Sequence, residues 1–273
     1  MHIQHRICNI FAYSPIGDAY EFDIPYLNII IRNMKNILTY FALCTILINA
    51  SYGKESLFDW TSTNAQILAG SDYELGDQTR QIITLEHANG WKYGSNFLFL
   101  DISEPFDDDT DLYGEFYTFL SFEKIFGNDF GDGLIKDVSL TAGTNLGEDF
   151  RAYLGGIMFD MKIPGFDLFQ LQFYAFDNKD LNDTTYQITP VWDTHFNISS
   201  ATFRFKGFTD FIGEEGTNSK QILSQPQLLL DLGSLKGSPE TLYLGLEYQY
   251  WKNKFGIEGV TESMPQVILV LQF

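Results

Sequence analysis

From about residue 60 to residue 273 the chain alternates apolar and polar side chains in segments of roughly ten residues, and this period of two limits what it can fold into. In the segment Leu242 to Trp251, Leu242, Leu244, Leu246, Tyr248 and Tyr250 fall on one face. Tyr243, Gly245, Glu247, Gln249 and Trp251 fall on the other. In the segment Leu168 to Phe176, Phe169, Leu171, Phe173 and Ala175 alternate with Gln170, Gln172 and Tyr174. A third segment sets Ala201, Phe203 and Phe205 against Thr202, Arg204 and Lys206. Arg204 and Lys206 on one face with two phenylalanines on the other do not suit a soluble core. They suit the wall of a cylinder with hydrocarbon outside and water inside.

The pattern gives twelve strands, centred near residues 66, 84, 97, 117, 140, 155, 172, 188, 205, 227, 246 and 269. The expected fold is all-β, a single closed antiparallel transmembrane barrel with periplasmic termini. Abundant aromatics (25 Phe and 15 Tyr) without long apolar runs agree with this and weigh against a soluble β-sandwich. Asn89-Gly90 reads as a two-residue hairpin and Pro164-Gly165 as a turn, both between an even strand and the next odd one. Longer polar connections fall at the other end: Glu104 to Leu112, Asp177 to Asp183, Ile212 to Lys220, and Asn253 to Ser263. Glu123 to Leu134 is long although it should be periplasmic. The chain closes on an alternating strand, Gln266 to Phe273, whose edge would promote aggregation unless it met the first strand.

Ahead of the barrel, Lys35 precedes an apolar stretch, Ile37 to Ile48, with small residues around Ala50-Ser51. The stretch is too short to span a bilayer and reads as a signal peptide over 34–53, cleaved after Ala50 or after Gly53. An uncleaved anchor is the alternative. Residues 1–33 then read as an upstream extension before a true start at Met34, leaving 54–273 as the barrel. Cys8 and Cys44 both lie in the removed part, so no disulfide or cysteine-based metal site is expected, and no cofactor. Residues 1–50 carry as many acidic as basic residues, so the net charge of −19 stays with the barrel. That balance argues against nucleic acid as a partner, which requires a positive footprint.

Several stretches resemble the nucleoside-specific channel family of outer-membrane proteins, the Tsx-like and OmpK-like porins. They are Asn89-Gly90-Trp91-Lys92-Tyr93-Gly94-Ser95-Asn96-Phe97, Phe99-Leu100-Asp101, Tyr113-Gly114-Glu115-Phe116 and Pro164-Gly165-Phe166. Gly207-Phe208-Thr209-Asp210, Pro226-Gln227, and the run from Glu247-Tyr248-Gln249-Tyr250-Trp251 through Lys252-Asn253-Lys254-Phe255-Gly256 follow in order. The resemblance implies a monomeric twelve-stranded barrel in the outer membrane of a Gram-negative bacterium, in contact with its lipid and lipopolysaccharide. It implies passage of nucleosides and, for some members, service as a phage receptor.

Strand facing within these motifs nominates the lumen residues. Phe97, Phe99 and Asp101 come from the third strand, and Glu115 and Tyr117 from the fourth. Across the lumen stand Arg204, Lys206, Asp210, Gln227, Glu247 and Trp251. A nucleoside offers a flat base for stacking, worth roughly 1–3 kcal/mol per base, and a hydroxylated ribose. The competing reading is structural: Glu247 pairs with Lys206 or Arg204, and a register slip of one turns Phe97 and Phe99 outward. Trp60 and Tyr248 are expected in the interfacial belts.

The run Asp107 to Asp111 is a solvated acidic loop or a cation site, though it lacks the glycine and bidentate glutamate of an EF-hand. No enzyme is expected. Lipid-hydrolysing barrels resemble one another in a His-x-Ser-Asn arrangement, and here His87-Ala88-Asn89-Gly90 has no serine. His195 falls in an expected turn. The second function class is a closed structural or surface-recognition barrel without specific transport.

Overall fold

A computed structural model describes residues 57–105 and 110–273. The signal peptide, the upstream extension, both cysteines and most of the Asp107 to Asp111 run lie outside the described residues. Among the described residues thirteen strands follow in order: β1 (Trp60–Ser71), β2 (Thr79–Trp91), β3 (Gly94–Ser103), β4 (Asp111–Ser121), β5 (Ile135–Leu146), β6 (Arg151–Met161) and β7 (Leu168–Asn178). Then come β8 (Thr185–Ile198), β9 (Ala201–Ile212), β10 (Gln221–Ser224), β11 (Gln227–Asp231), β12 (Leu242–Lys252) and β13 (Thr261–Gln272). All pairings are antiparallel, between chain neighbours except that β9 also pairs β11 and β10 also pairs β12, and β13 pairs back onto β1, with Ala65 opposite Leu271 and Leu68 opposite Ile268. The sheet is therefore a closed ring without a free edge.

Strands β10 and β11 are two halves of one stave. Both lie between β9 and β12, and the register is unchanged across the gap, from Gln221 opposite Ile212 to Gln227 opposite Lys206. The break falls at Gln225-Pro226, where proline has no N–H to give the ladder. Counted as staves the barrel has twelve, and each expected centre falls in its own stave.

The facing follows the alternation. Glu247 and Gln249 are buried inward while Leu244 and Leu246 stand exposed on the outer wall. The same holds for Gln172 and Tyr174 against Phe173, and for Gln266 and Ile268 against Val267 and Leu269. Exposed Ile67, Phe116, Leu140, Ile157 and Phe211 carry the apolar belt around the outside. Inside are two apolar clusters. One joins Tyr117, Phe119, Leu154, Met158, Tyr174 and Phe176; the other joins Leu68, Leu229, Tyr243, Ile268 and Val270. Both narrow the lumen from the wall inward.

The connections depart from expectation in three places. The β2–β3 turn is Lys92-Tyr93, two residues beyond Asn89-Gly90, which pair within the ladder opposite Asn96 and Ser95. A side chain at Gly90 would overlap the Trp60 indole, so that glycine serves close packing rather than a turn. The long connection after β4 holds a short helix, α1 (Phe122–Phe126), whose Ser121 cap accepts from the Lys124 N–H at 3.0 Å. A second long connection at the same end, between β11 and β12, holds a 3₁₀ turn over Ser234–Lys236. Pro164-Gly165 does turn the chain: Phe166 N–H reaches the Ile163 carbonyl at 3.1 Å, with Gly165 at φ 89°. His195 lies within β8 rather than in a turn, with Nδ1 2.9 Å from Asp167.

Among the described residues no helix is long and apolar enough to cross a membrane, which says nothing of crossing by strands.

Candidate functional site

Where neither apolar cluster fills the lumen, a cavity of about 420 Å³ remains. Ten of the eleven nominated residues line it: Phe97, Phe99 and Asp101 on β3, Glu115 and Tyr117 on β4, and Arg204, Lys206, Asp210, Gln227 and Glu247 across it. Trp251 faces the interior like Glu247 but lies beyond the cavity, at the end opposite the termini. There its indole N–H donates to Gln221 at 3.2 Å and its ring meets Phe255 edge-on.

Strand pairing explains how one wall forms. Phe97 lies opposite Tyr117, Phe99 opposite Glu115 and Asp101 opposite Tyr113. Two neighbouring staves thus present an aromatic ladder with carboxylates set into it, and Phe97 and Phe99 have ring centroids 6.2 Å apart. Phe97 and Phe99 face the cavity, not the outer wall.

The interior charges form a different set of pairs from the one the sequence suggests. Lys206 Nζ reaches Glu86 at 3.0 Å, and Arg204 Nε reaches Asp193 at 2.9 Å within a forked contact. Glu247 pairs with neither base. It accepts instead from Gln227 at 2.8 Å and from Gln266 at 3.0 Å. Asp210 accepts from Thr189 at 2.6 Å and Gln187 at 3.1 Å, Glu115 from Tyr113 at 2.6 Å, and Asp101 from Thr84 at 2.5 Å.

Glu86, Asp193, Gln187 and Thr189 were not nominated from the sequence. Glu86 was legible, because Ile82, Thr84, Glu86 and Ala88 continue the inward set of β2. Its partnership with Lys206, 120 residues away, depends on barrel closure. Trp60 also lines the cavity, against its expected place in the outer belt; it is half exposed at the terminal end. Tyr248 is on the outer wall, its hydroxyl 2.8 Å from Ser263.

At the end away from the termini, the connection after β1 folds inward. Tyr73 is buried there and donates to Gln266, while Lys254 holds Glu262 at 2.7 Å. Burial in this cluster pushes the Lys254 ammonium below its ordinary pKa, offset in part by Glu262.

One group resembles a catalytic trio and is not built as one. Thr63 Oγ1 lies 2.8 Å from His87 Nδ1, and the Asn89 amide nitrogen 3.2 Å from His87 Nε2. Asn89 uses its carbonyl oxygen to accept from Asn96 at 3.0 Å, so its amide donates to Nε2. A neutral imidazole then carries its proton on Nδ1 and donates to Thr63, leaving no lone pair to activate that hydroxyl. Among the described residues no group of three or more His, Cys, Asp or Glu could hold a metal ion.

No curated protein matches the chain. Solved barrels similar to it include a KdgM porin (8% identity, TM-score 0.48, covering 78% of this chain and 99% of that one). Another is a KdgM porin in complex with disordered oligogalacturonate, at 9% identity, the same TM-score and the same coverage. A third is the beta domain of the Bordetella autotransporter Brka, at 12% identity and TM-score 0.36, covering 79% and 99%. A family model described as "Domain of unknown function (DUF5020)" matches residues 69–268, most of the barrel, and the chain belongs to that family.

Proposed function

We propose that this chain is an outer-membrane channel of a Gram-negative bacterium for passive uptake of small, flat solutes without negative charge, nucleosides foremost. The observation that carries the reading is a closed ring, greasy outside, around a cavity lined by aromatic faces and polar side chains. A continuous apolar belt of this extent on a water-soluble monomer would be an aggregation liability. In a bilayer it is the ordinary outer surface of a barrel, and staves of 10 to 14 residues are long enough to cross when tilted.

The cavity is within the size range of small-molecule sites. Phe97, Phe99 and Tyr117 supply stacking faces, and Gln172, Gln187 and Thr189 supply polar contacts for hydroxyls. The motifs that resemble those of nucleoside-channel proteins support the same solute class. Passage requires modest affinity, and a single stacked base at roughly 1–3 kcal/mol meets that requirement.

A second reading is favoured by the inward apolar clusters and by Tyr73 and Lys254 at the loop end: a barrel closed by its own side chains, serving as a structural or recognition element. Liposome swelling with a nucleoside panel separates the two. Swelling in nucleosides faster than in equal-sized sugars supports the channel and its preference. Swelling at equal rates removes the preference, and no swelling favours the closed barrel.

A further inference from the structure

The cavity is lined by more carboxyl groups than its own bases can match. Six carboxylates line it (Glu86, Asp101, Glu115, Asp193, Asp210 and Glu247) against two bases, Arg204 and Lys206. The bases are already committed to Glu86 and Asp193. Asp101, Glu115, Asp210 and Glu247 therefore have no cationic partner among the described residues and are held by hydroxyls and amides. Asp101 stands diagonally beside Glu115 in the β3–β4 pairing, and Asp210 lines the same cavity. Like charges gathered in a partly dehydrated space repel, and the repulsion is relieved when a carboxylate takes up a proton or a positive group enters.

A second, independent feature points the same way. Gln227 is 7% exposed and lines the cavity; its amide nitrogen is spent on Glu247, and its Oε1 is buried without a hydrogen-bond partner. A buried acceptor left open is destabilising until a donor reaches it. Acceptors without a cation thus stand on both walls of the cavity: Asp101 and Glu115 on the strands that carry Phe97, Phe99 and Tyr117, and Gln227 and Glu247 across from them. Acceptors plus aromatic faces fit an ammonium attached to a flat ring, through charge-assisted hydrogen bonds and cation–π contact. The carboxylates are not grouped to share a metal ion.

We infer that this cavity is a selective site for small organic cations, binding an amine-bearing ring more tightly than its neutral isostere and excluding the anionic one. The inference rests on the cavity being reachable from solution, as the proposed channel requires, and it names the charge class that the channel favours.

Benzylammonium, benzyl alcohol and benzoate are matched probes. Calorimetric titration of the purified full chain in detergent should give benzylammonium at least tenfold tighter binding than benzyl alcohol, with benzoate unbound. Glu115→Gln should reduce the benzylammonium affinity at least tenfold. Glu247→Gln provides a second test should the first variant lose its sheet circular dichroism. Equal binding of the alcohol, or binding of benzoate, overturns the inference. In planar bilayers the reversal potential under a KCl gradient should favour potassium over chloride. Calorimetric binding without any bilayer conductance would keep the cation site and remove the channel.

Discussion

Replacing Leu246 by arginine tests whether the outer wall faces hydrocarbon. Leu246 is near the middle of β12, 51% exposed, and its cross-strand partners Leu228 and Val267 are exposed and apolar too. Along the strand its outward neighbours are Leu244 and Tyr248. Four residues to one strand end and six to the other correspond to roughly 13 and 20 Å at about 3.3 Å per residue. A guanidinium at this position cannot easily reach water, so the midplane penalty of about 2–4 kcal/mol applies. At about 1.4 kcal/mol per tenfold, Leu246→Arg should lower the folded-to-unfolded ratio roughly 30- to 1000-fold. Reversible unfolding by guanidinium in phospholipid vesicles measures the change. A water-facing leucine would give a change within about 0.5 kcal/mol. A result that small would refute the assignment of this face to lipid.

Other consequences follow from particular contacts. Lys254→Met removes the cation from Glu262, which is fully buried and keeps only its hydrogen bonds from Gln249 and the Glu74 N–H, and should cost about 3–5 kcal/mol in the same unfolding assay. Adding Glu262→Gln should recover most of that loss, and an unchanged double variant would show that the pair is not the cause. Gly94→Ala places a methyl group against the Phe119 carbonyl oxygen, so the β3–β4 ladder must part. Its refolding yield into detergent should fall well below that of wild type, and equal yields would contradict the close approach. Asp167 accepts from His195 through both ring and backbone nitrogen, which holds its carboxyl below the ordinary value of about 3.9. A depressed carboxylate stabilises the fold above that value and loses the contribution as pH falls through its folded pKa. Asp167→Asn should therefore have a shallower acid loss of stability than wild type below about pH 4, and parallel acid profiles would exclude this contribution.

The barrel was legible because one rule, alternate facing, governs every stave and needs no tertiary information. Leu242 to Trp251 states its own facing, and closure follows from an apolar last strand that needs a partner. Turn chemistry was less reliable. Asn89-Gly90 has the composition of a hairpin, yet Gly90 is required by the bulk of Trp60, which approaches it only once β1 and β2 pair. The broken stave at Pro226 leaves the alternation intact and so does not show in the pattern. For the site, alternation identified which residues point inward but not their height or partners. Trp251 shares its face with Glu247 and still lies outside the cavity, and Lys206 takes Glu86 rather than Glu247. Height and partnership depend on strand tilt and on which staves face each other across the lumen, and both are set by closure.

Single-channel recording from the purified chain in a planar bilayer decides whether the barrel is open. An open channel with a nucleoside site gives discrete conductance steps that added nucleoside reduces in a concentration-dependent way. A folded barrel that inserts into the bilayer and carries no current would contradict the open channel.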